Sequence, residues 1–395
     1  MAKDMTIATV QQTGARTFRL DIYMMISLAM IAIGLGAAIY AQYVGHHQAF
    51  ANTREIPWGL MIGVYAYLAI ISTGLCLMAA ISHAFHLRSL LPLANRMVWL
   101  SIIFLFGAFF VIGAEVENPW RMPLNLVIHP NLTSNIWWMG TLYGLAVTLL
   151  VVEFYLLVTR RFAMAVVLGM VGAVAEMLAN TNLGSVFASL SARPFWYGSQ
   201  LPIFFLASAL LSGAAAVVVC TFYAHSIGKR PLAGGTLQGL WAAGKIMVLM
   251  IFLILLATVW KFVNAYCGTE DLRLAADMLV RGPLATNFWL FEIGIGLLLP
   301  FLLLLATRMR SPQALSLAGL MVLVGQLFSR YNLVVAGLAV PQYPGYDDLP
   351  QYLHYAPSVA EYLLVVGGFG VIGCAFLLGE RCFAAVFHTE QTEEG

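Results

Sequence analysis

The chain has 395 residues, of which 61% are hydrophobic and only 10% charged, and its formal net charge is +2. So small a share of polar side chains cannot coat a water-soluble globule of this length, and the composition places the chain in a bilayer. Basic residues stand singly or in pairs rather than in blocks, which excludes nucleic acid as a partner.

Lys3, Arg16 and Arg19 precede the first apolar run in the manner of a signal peptide. Residues 20–44, however, suffice to cross ~30 Å of hydrocarbon, so an uncleaved first helix is expected. Nine more apolar stretches of spanning length follow at 58–85, 97–116, 135–158, 162–190, 202–225, 238–265, 286–306, 313–338 and 357–380. The expected fold is an all-α membrane protein of about ten transmembrane helices. Turn formers mark the connections, among them Pro92, Pro119, Pro194, Pro231, Pro283, Pro312 and the group Pro341, Pro344, Gly345 and Pro350. The organisation expected is a cytoplasmic tail at 1–19, a transmembrane domain at 20–383 and a second cytoplasmic tail at 384–395.

Orientation follows from the basic residues. Twelve Lys and Arg fall on the side of both termini and seven on the other, while Lys245 lies inside helix seven, so both termini are expected in the cytoplasm. The opposite connections are longer and rich in Pro, Trp, Tyr and Asn, which makes that face the expected seat of a partner and of the site.

Ionisable side chains at membrane depth are costly and are functional candidates by default. Glu115 ends helix three, Glu292 and Glu361 begin helices eight and ten, and Glu176 lies past the middle of helix five toward the same side. Asn180, His129, Arg193 and Arg330 stand at similar levels. A carboxylate beside such groups suits proton exchange with a quinone, whose carbonyl a histidine or asparagine can hydrogen-bond. The plainer reading is that Glu292 and Glu361 stabilise helix N-termini. On the inner half, Glu153 and Lys245 match in depth, so either an ion pair or the inner steps of a proton path is expected.

Absences discriminate too. The histidines stand at or near helix ends or in loops, whereas transmembrane haem needs them well inside helices. The five cysteines show no C-x-x-C spacing, which argues against zinc or iron–sulfur ligation, and no flavin fingerprint or phosphate loop is present. Electrons, if the chain handles them, must come from a partner.

Several motifs together resemble the NrfD/PsrC family, the quinone-binding membrane subunits of polysulfide-reductase-like complexes, and most of all its ten-helix branch with the membrane subunits of hydrogenases. They run from about 56 to 380: Pro57-Trp58-Gly59, Glu115 followed by Trp120, Leu183-Gly184-Ser185, Pro194-Phe195-Trp196, Leu201-Pro202, Phe288-Trp289 with Glu292, Arg330-Tyr331-Asn332, and Tyr355-Ala356-Pro357-Ser358 with Glu361. The resemblance implies two four-helix bundles, helices two to five and six to nine, flanked by helices one and ten. It further implies menaquinone or ubiquinone bound near the extracytoplasmic face against a ferredoxin-like iron–sulfur subunit. A further redox or catalytic subunit would complete the complex, whether a hydrogenase, a molybdoenzyme, a cytochrome c or a sulfite-linked enzyme. Many relatives read His-Gln-Ser-Ser-Leu-Gly in helix five, whereas this chain reads Ala179-Asn180-Thr181-Asn182-Leu183-Gly184, so Asn180 or His129 would replace the histidine.

The expectation is therefore a quinone-exchange subunit, without haem or iron–sulfur cluster of its own, that does no catalysis alone. Glu115 and Glu176 would trade protons, Glu153 and Lys245 would extend the path inward, and His129, Asn180, Trp120, Trp196 and Arg330 would hold the quinone. An ion-coupled secondary transporter or a purely structural anchor is the alternative.

Overall fold

The computed structural model describes residues 2–232, 234–342 and 350–387, with side chains from residue 21 onward. The side chains of Lys3, Arg16 and Arg19, the turn formers Pro344 and Gly345, and the tail beyond 387 lie outside the described residues. Among the described residues, ten helices are long and apolar enough to cross a membrane. They are α1 (Ala2–Val44), α2 (Leu60–Ala84), α3 (Leu91–Glu115), α4 (Asn135–Val158), α5 (Phe162–Ala188), α6 (Gln200–Gly228), α7 (Gly234–Tyr266), α8 (Asn287–Ala306), α9 (Pro312–Ala339) and α10 (Val359–Cys382). No strand occurs among the described residues.

Helices of this composition form because hydrocarbon supplies no hydrogen-bond partner for the backbone, so each segment must satisfy its own amides. Their ends follow local chemistry. Ser134, Ser311 and Ser358 cap α4, α9 and α10 by accepting a backbone N–H of the first turn. Pro92 and Pro312 sit in first turns, where a missing N–H costs nothing. α3 starts six residues before the expected 97, because Pro92 and Arg96 belong to the helix and not to the connection.

α2 is the most enclosed span and packs against α3, α5, α6 and α9. α4 lies on α5 and α3, α6 on α7 and α9, and α8 on α9, while α1 lies on α10 and α10 on α3. α2 and α6 cross at Gly74 and Gly213, where a Cβ on either residue would run into the backbone of the other helix. Small residues at such a crossing let two helices gain dispersion contact that side chains would prevent.

The two faces of the molecule differ. On one, connections are short. The other, here the loop-rich face, carries the connections 45–59, 116–134, 189–199 and 267–286 and the described parts of 340–358. Two amphipathic helices lie in these connections, Arg121–Ile128 and Glu270–Val280, neither anticipated from hydropathy. α8 is wound as a π-helix over Asn287–Leu298, a geometry frequent at functional sites.

Candidate functional site

Buried polar side chains fall into three levels within α2–α5 and α10. Nearest the loop-rich face, Glu115 Oε1 accepts a hydrogen bond from Asn52 Nδ2 at 2.7 Å, and its Oε2 has no partner among the described residues. Beside it stands Glu361, whose surroundings are complete. Its Oε2 accepts from the backbone N–H of Ser358 and Ala51, its Oε1 accepts the Tyr355 hydroxyl proton at 2.7 Å, and with Ser358 it closes a reciprocal cap on α10. The Tyr355 hydroxyl in turn accepts from the Leu60 N–H at 2.7 Å, and Gly59 leaves the space its ring needs. Burial and the neighbouring Glu361 push the Tyr355 hydroxyl well above the usual phenol range, so it stays a proton donor. Glu361 thereby caps the first turn of α10, as the plainer reading of a first-turn acid expects.

At mid-depth, Glu176 is fully buried in the middle of α5. Thr73 Oγ1 donates to its Oε2 at 2.7 Å. Ser72 Oγ lies 2.9 Å from its Oε1 and equally 2.9 Å from the Ser101 carbonyl, two acceptors for its one proton. No cation lies within 4 Å of Glu176 among the described residues. Asn180 follows four residues later on the same face of α5, fully buried, and neither its amide nitrogen nor its oxygen has a partner among the described residues. The Tyr143 hydroxyl is likewise buried, near Thr73 but without a well-formed hydrogen bond among the described residues, its ring edge-on to Tyr65 at 6.4 Å.

Toward the other face, Glu153 is buried with its Oε1 3.8 Å from His83 Nδ1, and His83 Nε2 reaches Asn95 Oδ1 at 3.3 Å. The ion pair expected between Glu153 and Lys245 is not formed. Lys245 is exposed on α7, a helix that does not pack on α4, so equal depth did not mean adjacency. The buried pair at this level is Arg96 with Glu380, joined at 2.9 Å.

The remaining candidates divide. Trp196 is buried, its indole N–H donating to the Leu333 carbonyl at 2.7 Å and its ring stacked on Trp58 and edge-on to Phe187, so its donor is already committed inside the core. Arg330 is 1% exposed, lies over the rings of Phe205 and Phe204 at 4.5 and 5.3 Å, and has no partner for either terminal nitrogen among the described residues. Trp120 and His129 flank the helix Arg121–Ile128 on the loop-rich surface, where Trp120 is 78% exposed. They do not join Asn180.

Sequence reasoning passed over Ser72, Thr73, Ser101, Tyr143 and His83, although hydroxyls inside otherwise apolar runs were a readable signal. Lys261 lies inside α7, as the stretch 238–265 places it, and its Nζ stands 3.8 Å above the Phe195 ring.

The model of the family described as "Polysulphide reductase, NrfD" matches residues 48–342. The chain belongs to the NrfD family. Its ten apolar helices and this membership make it a multi-pass membrane protein. Among relatives of the NrfD chain, a selenate reductase subunit of Mesobacillus selenatarsenatis is 23% identical over 87% of this chain and 90% of its own. The "Hdr-like menaquinol oxidoreductase integral membrane subunit" of Archaeoglobus fulgidus is 22% identical over 91% of this chain and 93% of its own.

Proposed function

We propose that this NrfD chain is the quinone-interacting membrane subunit of a respiratory oxidoreductase complex. In this reading it exchanges electrons between menaquinone or ubiquinone and an iron–sulfur partner at the loop-rich face, which we assign to the extracytoplasmic side. The names of the two relatives, one a menaquinol oxidoreductase subunit and the other a reductase subunit, support the class.

The observation that carries the reading is the Asn180 side chain. A buried amide with no partner costs about 1–3 kcal/mol, and this one lies one helical turn from a carboxylate held by hydroxyls alone. An amide N–H aimed at a ring carbonyl, beside a group that gives or takes a proton, suits a quinone. Glu115, with one oxygen unpartnered near the loop-rich end, fits the same need. Quinone, when bound, supplies two-electron, two-proton chemistry.

The chain's own residues then have distinct tasks. Asn180 orients the ring through hydrogen bonds. Glu176 holds or releases a proton at its carboxylate, with Thr73 fixing one oxygen and Ser72 switching between the other and the Ser101 carbonyl. Glu115 exchanges protons nearer the surface, and Glu153 with His83 extends the route toward the opposite face. Apolar side chains at the loop-rich surface, Trp120, Val127, Ile128 and Leu132, face the partner subunit or the lipid boundary.

Purifying the intact complex and identifying its bound quinone and partner subunits tests the class. Asn180→Leu is expected to lower the quinone content without dispersing the complex. Glu115→Gln is expected to reduce quinone-linked turnover by about 10²-fold, the usual worth of a positioned acid or base, with assembly intact. Unchanged turnover in Glu115→Gln removes that residue from the site, and a complex that turns over without quinone overturns the reading.

A further inference from the structure

A second group of charges lies in α6–α9, apart from the acids already discussed. Glu292 on α8 and Lys261 on α7 are each five residues in from the loop-rich ends of their helices. Both line a cavity of about 20 Å³ together with Thr258, Ser329 and Asn332 and the rings of Phe195, Phe204, Phe262 and Phe288. Asn332 Nδ2 donates to Glu292 Oε2 at 2.7 Å, while Asn332 Oδ1 is buried and unpartnered among the described residues. Lys261 and Arg330 are the titratable groups whose charges act on Glu292. Neither has a carboxylate within 4 Å among the described residues. The charges are gathered but held apart, with space between them.

That space decides what fits. About 10–15 Å³ accommodates one water molecule, which also needs two to four polar partners. The cavity is large enough for one such molecule and too small for a ring or an acyl chain. Its partners are a donor at Lys261 and acceptors at Glu292 and at the unfilled Asn332 Oδ1, with the Ser329 and Thr258 hydroxyls on the wall.

We propose that this cavity holds one ordered water joining Lys261, Glu292 and Asn332, and that Glu292 exchanges a proton through it with the loop-rich side of the membrane. A proton reaching the cavity as hydronium passes to the Glu292 carboxylate. One O–H bond breaks on the hydronium, one forms on the carboxylate, and a water remains in place. The Lys261 and Arg330 side chains stabilise the carboxylate's charge at membrane depth when the proton leaves. The helix Glu270–Val280 lies over this end of α8 and α9 and contributes Leu279 to the cavity wall, so its packing governs access. The π-wound stretch of α8 carries Glu292 into this position.

The site goes beyond the quinone reading and stands without it. A high-resolution map of the purified complex is expected to show a single compact peak within hydrogen-bond distance of Lys261 Nζ, a Glu292 oxygen and Asn332 Oδ1. Direct contact between Lys261 and Glu292, an elongated density or an empty cavity overturns the proposal. Infrared difference spectra of the complex across a pH step are expected to contain a deuterium-sensitive carboxyl C=O band that vanishes in Glu292→Gln. The same band should persist in Glu176→Gln and shift in Asn332→Leu, which removes the hydrogen bond to Glu292. Should Glu292→Gln fail to assemble, the Asn332→Leu shift alone decides the assignment, and a band it leaves unmoved sinks it. Loss of the quinone reading would show separately, as absence of bound quinone with these bands intact.

Discussion

Glu176 in α5 and Glu292 in α8 are both carboxylates sunk among apolar helices, yet they are accommodated in opposite ways. Glu176 has only neutral donors, the hydroxyls of Ser72 and Thr73, and no nearby cation among the described residues. Glu292 has an amide donor and two cations within electrostatic reach. Neutral donors accommodate a carboxyl group in either protonation state, because hydroxyls rotate to give or accept. Flanking cations offset part of the cost of the ionised form, so a carboxyl group beside them can part with its proton at membrane depth. The same residue type is thus surrounded by neutral hydroxyls in one half of the molecule and by an amide and two cations in the other.

The contrast is open to attack by substitution. Glu292→Gln removes the carboxylate whose charge acts on both Lys261 and Arg330, and the loss of unfolding free energy in detergent is expected to be on the order of 3 kcal/mol, as for one partner removed from a buried charge group. Glu176→Gln keeps an acceptor for one hydroxyl and gives the other an amide N–H that its oxygen can accept, and should cost below about 1 kcal/mol. If the two variants lose equal stability, the distinction collapses. Thr73→Val sharpens it. Deleting one hydroxyl donor should cost about 0.6–1.7 kcal/mol, the range of interhelical hydrogen bonds in membranes, and should move the pH profile of quinone-linked turnover. His129→Ala is the control at the exposed surface, where denaturation curves should shift by no more than about 0.5 kcal/mol.

Much of this architecture was legible in the amino-acid order because hydrocarbon imposes a length and an apolarity that a window of residues reveals directly. The ten spans came out within a few residues of their observed limits, apart from α1 and the start of α3. The latter error is instructive. Arg96 looked like a boundary charge, but it is buried by Glu380, a partner 284 residues away that no local pattern discloses. The proposed Glu153–Lys245 pair failed for the same reason in reverse, since depth along a helix axis is local information and the identity of the facing helix is not. Within the candidate site, Glu115, Glu176 and Asn180 stood out as costly residues in apolar surroundings. The hydroxyls that hold Glu176 did not, because serine and threonine are common in membrane helices and acquire meaning only when α2, α3 and α5 meet.

The Tyr355 hydroxyl, bonded at once to the first amide of α2 and to the cap of α10, ties a junction made early in synthesis to one made near its end. Until residue 355 has emerged the Leu60 amide has no side-chain acceptor, and until residue 361 has emerged the Tyr355 hydroxyl has no carboxylate to donate to. The loop-rich ends of α2 and α10 can therefore reach their final geometry only once residue 361 has been made, and a ribosome stalled before that point would release a chain whose α2 starts unfastened.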